Sequence, residues 1–280
     1  MMKVIIPKDI GFCPGVKHAV SIVERELAQD KKVYCYGEIV HNPDVIRELE
    51  NKGLKIIGSL ENVVRGDTVI IRAHGLPIKD YITLNLKEAM VVDATCRNVK
   101  KVQEYVKDSY FHGQQTVVIG KHGHPEVIGL AGQAPKVYVV DSIEEAQRLD
   151  GLKYLGVIIQ TTYSMRKAED ILRVLQEKVS RCKIYDTMCE KTKNRQEVSK
   201  KMAAKVDAII VVGGRNSSNT AELANCCREV QSKVYVVENE SDLAKSMFDE
   251  VYKVGITGGL STPYSSIENV ARRIQELKPL

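Results

Sequence analysis

Three cysteines stand at matching places along the chain. Cys13 follows Gly11-Phe12, Cys96 closes Asp93-Ala94-Thr95, and Cys189 closes Asp186-Thr187-Met188. A short apolar run precedes each one: Lys3 to Ile6, Met90 to Val92 and Lys183 to Tyr185. A segment of helical periodicity follows each, as in Val99, Val102, Tyr105 and Val106 after Cys96. The pattern is a strand, a turn and a helix that opens at the thiol. Helix N-termini favour negative charge and lower the pKa of a thiol. Cys13 and Cys96 lie 83 residues apart, and Cys96 and Cys189 lie 93 apart, which is the spacing of an internal repeat.

The repeat carries more than the thiols. A polar turn stands 28 residues after each cysteine, at His41, His124 and Ser217, and a second comes later in each repeat, at His74, Thr161 and Ser261. With Thr162, Ser218 and Asn219 beside them, these are hydrogen-bond donors with few acids, a set suited to a phosphate or diphosphate. A lone turn histidine reads as a surface residue, and Ser217-Ser218-Asn219-Thr220 alone reads as a helix N-cap. Recurrence in register favours a site. Glu126, after His124-Pro125, has two readings. It is an acid in a helix's first turn behind a proline at the first position, or a proton donor tied to a site turn.

The elements that must position these residues alternate throughout. Strands are expected at 3–6, 33–40, 55–57, 68–72, 90–92, 116–120, 137–140, 155–159, 183–185, 208–212, 234–237 and 251–256. Helices are expected at 16–28, 43–51, 60–65, 77–87, 98–110, 125–132, 142–148, 164–178, 191–204, 220–229, 241–246 and 264–277. Such alternation means parallel βαβ units with right-handed crossovers. The third repeat lacks a last strand, and strand 3–6 has no repeat of its own, so it is expected to complete the third sheet. The expected fold is α/β, with three similar lobes around a pseudo-threefold axis and a central cavity. Each lobe is a small parallel four-stranded sheet with flanking helices, and the lobes span 14–96, 97–189, and 190–280 plus 1–13.

In parallel sheets, ligands bind beyond the carboxyl ends of the strands, where every one of these turns falls. Lobes facing inward would bring the three cysteines to a common centre, and converging thiolates need a cation. Three ligands fall short of a closed structural zinc site, and thiolates select zinc or an iron–sulfur cluster. A four-iron cluster on three cysteines leaves one iron open to substrate. Catalytic zinc in a phosphoester-binding enzyme on the same scaffold is the other reading. Cys35, Cys182, Cys226 and Cys227 read as ordinary apolar thiols.

Composition excludes several classes. The 280 residues are 44% hydrophobic and 28% charged, with a net charge of +5 spread along helices as solvated faces. With three Phe, no Trp and no basic stripe, the chain is not expected to bind nucleic acid. No apolar run approaches the ~18 residues of a membrane span or forms a signal-peptide core, so a cytoplasmic protein without a membrane partner is expected. Seven cysteines without a C-x-x-C pair suit a reducing compartment. Neither a dinucleotide-binding G-x-G-x-x-G after a strand nor a P-loop occurs, so a redox enzyme of this kind takes its electrons from another protein.

Nine short motifs in order carry a resemblance. They are Gly11-Phe12-Cys13-Pro14-Gly15-Val16, Gly37-Glu38-Ile39-Val40-His41-Asn42-Pro43, Arg72-Ala73-His74-Gly75, Asp93-Ala94-Thr95-Cys96, and Gly123-His124-Pro125-Glu126-Val127. Gln160-Thr161-Thr162, Asn194-Arg195-Gln196, Asn216-Ser217-Ser218-Asn219 and Gly259-Leu260-Ser261-Thr262-Pro263 complete them. Over essentially its whole length the chain resembles the 4-hydroxy-3-methylbut-2-enyl diphosphate reductases, the last enzymes of the non-mevalonate isoprenoid pathway. The resemblance implies a [4Fe–4S] cluster on Cys13, Cys96 and Cys189 whose fourth iron takes the substrate's hydroxyl oxygen. It implies that His41, His74, His124, Ser217, Ser218, Asn219 and Ser261 hold the allylic diphosphate, with Thr161 and Thr162 also at the substrate. Glu126, Thr161 and His124 would be the catalytic residues, and Glu126 and Thr161 would relay protons together with the diphosphate. Two electrons, from ferredoxin or flavodoxin in this family, and two protons would remove the hydroxyl as water to give isopentenyl and dimethylallyl diphosphate. The chain departs from the family's usual Arg at His18, Pro-Leu at Arg97-Asn98, and Ala at Gly258 and Leu260.

Overall fold

The structure is a computed structural model that describes residues 2–29 and 31–277. Residues 1, 30 and 278–280, which fall within the expected lobe spans, lie outside the described residues. The first repeat holds α1 (Pro14–Leu27), β2 (Val33–Tyr36), α2 (Pro43–Asn51), β3 (Lys55–Ile57), β4 (Thr68–Ile71), α3 (Ile78–Leu86) and β5 (Met90–Asp93), after β1 (Lys3–Ile5). The second holds α4 (Arg97–Phe111), β6 (Gln115–Ile119), α5 (Pro125–Ala131), β7 (Tyr138–Val140), α6 (Ile143–Arg148), β8 (Tyr154–Ile159), α7 (Met165–Lys178) and β9 (Arg181–Ile184). The third holds α8 (Glu190–Ala203), β10 (Ala208–Val212), α9 (Ser218–Arg228), β11 (Val234–Val237), β12 (Lys253–Gly258) and α10 (Tyr264–Leu277).

These strands make three four-stranded sheets, ordered β3-β2-β4-β5, β7-β6-β8-β9 and β11-β10-β12-β1. Every pairing is parallel. As expected, β1 closes the third sheet, with Val4 in register with Val254 of β12. The central strands read as unbroken apolar runs because helices or loops cover both faces. Ala208 to Val212 are wholly buried, and Val117, Val118 and Ile119 are likewise. Burying each such Val or Ile contributes about 1.5–3 kcal/mol, which fixes the central strands and hence the turns at their ends.

Two expected helices do not form. Residues 60–65 are turns, although Leu60 and Val63 still enter the core beside Val69, Ile71 and Leu84. Six residues containing two β-branched valines cannot carry the cost of helix nucleation. Asp67 instead accepts the Val64 N–H at 3.0 Å. The helix expected at 241–246 is split into 3₁₀ turns at Glu240–Asp242 and Lys245–Phe248, started by Asn239, whose side chain accepts the Ser241 N–H. Strand 33–40 ends at Tyr36 because Gly37 turns the backbone at φ +75°, where a Cβ would strike the Arg72 guanidinium.

The described chain divides into two compact units, one drawn from residues 1–17, 40–48 and 190–280 and the other from 18–39 and 49–189. The first contains the sheet ending in β1, and the second contains the other two. Among the described residues no helix is long and apolar enough to cross a membrane.

Candidate active site

Each of the three cysteines follows the fourth strand of its sheet and directly precedes a helix: Cys13 before α1, Cys96 before α4 and Cys189 before α8. All three are half-buried, and none is in a disulfide. One backbone bond recurs behind them. The N–H of Cys96 donates to the Ala73 carbonyl next to His74, that of Cys189 to the Thr161 carbonyl, and that of Cys13 to the Leu260 carbonyl next to Ser261. Each thiol is thereby fastened to the second polar turn of the sheet whose fourth strand it follows. That turn leaves β4, β8 or β12, a central strand paired with the one that opens the sheet. Chain connections depart in opposite directions between those two strands, which is where α/β sheets bind ligands.

In the first unit the Val16 N–H reaches the Cys13 sulfur at 3.4 Å. Arg195 on α8 holds the loop before it, donating to the carbonyls of Gly258, Asp9 (3.1 Å) and Gly11 (3.2 Å). Burial lowers the Arg195 pKa, against the opposing pull of Cys13 and Asp9. The His41 turn is seated here too. Its carbonyl accepts from Ser261 Oγ at 3.3 Å and lies so close to Gly214 that a Cβ there would collide with it. Ser217 is the N-cap of α9, accepting the Thr220 N–H at 3.2 Å, and Ser218 opens the helix. Asn219 is buried, and its Nδ2 has no hydrogen-bond partner among the described residues. A buried donor left unmade costs about 1–3 kcal/mol, which an incoming acceptor recovers. Asn219 Nδ2 faces Gly259, in the turn that carries Ser261.

In the second unit the Cys96 sulfur lies at the N-cap of α4, and Asn98 Nδ2, two residues on, donates to the Cys189 sulfur at 3.2 Å. Burial raises the Cys96 thiol pKa, and the charges of Cys189 and Glu126 add to the rise. Glu126 is 2% exposed. Its Oε1 accepts the Thr161 N–H at 2.6 Å and its Oε2 the Thr161 hydroxyl at 2.8 Å. Burial outweighs those two bonds and pushes the carboxyl up to about 7. Glu126 lies in the first turn of α5, as the first of its two sequence readings has it, and it is also a buried acid raised toward neutrality. His124, the N-cap of α5, accepts the Glu126 N–H on Nδ1 at 3.2 Å, so its neutral ring carries the proton on Nε2. The His74 ring packs edge-on to it, with centroids 5.4 Å apart.

Sequence reasoning gave no role to three residues that hold these parts. Gln160 ties two turns together, its Oε1 accepting the Lys121 N–H (3.0 Å) and its Nε2 donating to Thr162 Oγ1 (3.2 Å). Arg195 and Asn98 are the others. Gln160 and Arg195 lie inside motifs quoted above, which was the available signal; the signal at Asn98 was its departure from the family's usual Leu. Cys35 and Cys227 are buried, and desolvation pushes each up to about 12, which makes them inert. Cys182 and Cys226 are half-buried and are also raised by desolvation.

Fold and site together define an α/β enzyme of three repeated parallel sheets, with thiols, donor-rich turns and a buried acid at the strand ends. The chain belongs to the LytB protein family, whose model matches residues 4–275. It is 39% identical to the 4-hydroxy-3-methylbut-2-enyl diphosphate reductase of Caldanaerobacter subterraneus subsp. tengcongensis, over 99% of this chain and 98% of that one. It is 40% identical to the protein of the same name from Geobacter sulfurreducens, over 98% of each. Among solved structures, the E-1-hydroxy-2-methyl-but-2-enyl-4-diphosphate reductase of Plasmodium falciparum matches with a TM-score of 0.93 at 29% identity, over 99% of this chain and 89% of that one. A second structure, described as the terminal enzyme of the non-mevalonate pathway, matches with a TM-score of 0.71 at 38% identity, over 99% and 100%.

Proposed function

We propose that this chain reduces 4-hydroxy-3-methylbut-2-enyl diphosphate to isopentenyl and dimethylallyl diphosphate. The allylic C–O bond breaks, two electrons and two protons enter, and the hydroxyl leaves as water. Cys13, Cys96 and Cys189 are the proposed ligands of a [4Fe–4S] cluster, with ferredoxin or flavodoxin as donor and the cytoplasm as location. The lobes are the three repeats, 14–96, 97–189, and 190–280 plus 1–13, a division supported by their common strand order. The donor set fits the group: three soft sulfurs, none in a disulfide, each at a helix start. When bound, the cluster supplies the electrons and a Lewis-acidic iron that polarises the C–O bond.

The chain's own residues supply the rest. His41, His74, His124, Thr161, Thr162, Ser217, Ser218, Asn219 and Ser261 hold the diphosphate by N–H and O–H donors. The buried, partnerless amide of Asn219 supports this reading. Burial raises the Glu126 carboxyl to about 7, so it can give up a proton through Thr161 Oγ1 and recover one. His124, with Nδ1 occupied by the Glu126 N–H, presents Nε2–H.

The observation that carries the proposal is the buried Glu126–Thr161 pair, within electrostatic reach of Cys96. Relatives named as reductases do not favour the zinc reading. Anaerobic protein is expected to be brown, to hold roughly four iron and four sulfide per chain, and to turn over the allylic diphosphate. Cys13→Ser, Cys96→Ser and Cys189→Ser should each lose iron, whereas Cys35→Ser and Cys227→Ser should keep it. Colourless protein loaded with zinc would overturn the proposal.

A further inference from the structure

Asn98 stands apart from the other residues around the thiols. It lies two residues after Cys96, and its side-chain amide donates to the Cys189 sulfur at 3.2 Å. One residue beside one proposed ligand thus supplies a side-chain hydrogen bond to another that is far from it in sequence. Only the amide nitrogen can make this bond when the sulfur is a thiolate, because a thiolate has lone pairs and no proton. Asn98 is also exposed, in the first turn of α4, and buries nothing that would require an amide for packing.

We infer that the Asn98 side chain is a positioning residue that raises the reduction potential of the cluster by donating an N–H to Cys189 Sγ. The inference rests on the iron–sulfur reading above. Adding an electron places more negative charge on the sulfur ligands, and a fixed donor stabilises the charged state more than the oxidised one. The effect grows where water is scarce, and because this bond is exposed the shift it causes is modest. The backbone donor at Cys13 comes with its helix start and persists whatever side chain follows. The bond to Cys189 exists only because residue 98 is an asparagine.

The test is a mediated redox titration of the anaerobic holoprotein, followed by visible absorption and electron spin resonance. It compares the unmodified chain with Asn98→Leu, Asn98→Ala and Asn98→Asp. Leu and Ala remove the donor, and the ratio of reduced to oxidised cluster at a fixed ambient potential should fall roughly threefold to tenfold, about 28–59 mV for a one-electron couple. Asp places an acceptor where the donor stood, and the fall should be larger. Iron content and far-ultraviolet dichroism should stay unchanged in the Leu and Ala variants, because the three thiols are intact. An unmoved or raised midpoint overturns the inference, and so does loss of iron from both Leu and Ala variants, which would make the amide part of the assembly. Absence of iron from the unmodified chain would instead overturn the reductase reading.

Discussion

Glu126 shows how one buried side chain couples chemistry to stability. An unfolded glutamate titrates near 4.5, whereas burial moves the folded group to about 7. The folded state therefore holds its proton more tightly between those values, and the stability this contributes is complete below about 4.5 and lost as pH rises through 7. The span corresponds to roughly 3 kcal/mol at most. Glu126→Gln keeps the shape, with Oε1 still available to the Thr161 N–H and Nε2 facing a hydroxyl that can turn to accept it. The variant should match the unmodified protein in denaturant titrations near pH 4.5 and exceed it by roughly 2–3 kcal/mol at pH 8. Parallel stability curves for the two would show that the carboxyl does not titrate in this window. The same variant should bind the diphosphate normally yet lose about 10²–10⁴ in kcat, the usual worth of a positioned acid. Unchanged turnover would leave Glu126 with only its place in the first turn of α5.

At the scale of elements, the sequence carried the strands and most helices because both leave a periodic trace. Parallel strands buried on two faces read as solid apolar runs, and helices such as α4 show Val99, Val102 and Val106 on their buried side. It could not show which turn meets which. Thr161 and Glu126 are 35 residues apart and Asn98 and Cys189 are 91 apart, and periodicity assigns a face without naming the neighbour. The two missing helices failed for a related reason: their apolar anchors suit the core equally well from a turn. Arg195 is an instance where a contact missed in sequence yields a sharp expectation. It reaches three backbone carbonyls around Cys13 with a planar fork of donors, and lysine has no such fork. Arg195→Lys should cost roughly 1–3 kcal/mol of thermal stability by leaving carbonyls unmet. It should also release iron faster on exposure to a chelator. Iron retention equal to that of the unmodified protein would mean the loop before Cys13 is held by other contacts.

Across the whole molecule, the repeat explains why the chain begins its third sheet before its first. In the first two repeats the last strand follows the last helix after a short link, α3 to β5 and α7 to β9. In the third, α10 is the last helix, and the strand that fills the matching place is β1, paired in parallel with β12. Val4, Ile6 and Ile10 pack against the same core as Ile267, Val270 and Ile274 of α10, so β1 belongs energetically with the far end of the sequence. If the repeat is the true folding unit, the order in which the chain visits β1 is not essential. A circular permutant that joins residue 280 to residue 1 and opens between Lys8 and Asp9, both exposed, restores the helix-to-strand order of the other repeats. It should fold cooperatively, with a melting temperature within several degrees of the parent, because it exchanges one loop closure for another of similar length. Deleting residues 2–6 instead removes an edge strand and its apolar contacts, and should unfold the β12 sheet first in hydrogen exchange. A permutant that fails to fold while the deletion stays intact would show that β1 is an accessory to this sheet and not its missing fourth strand.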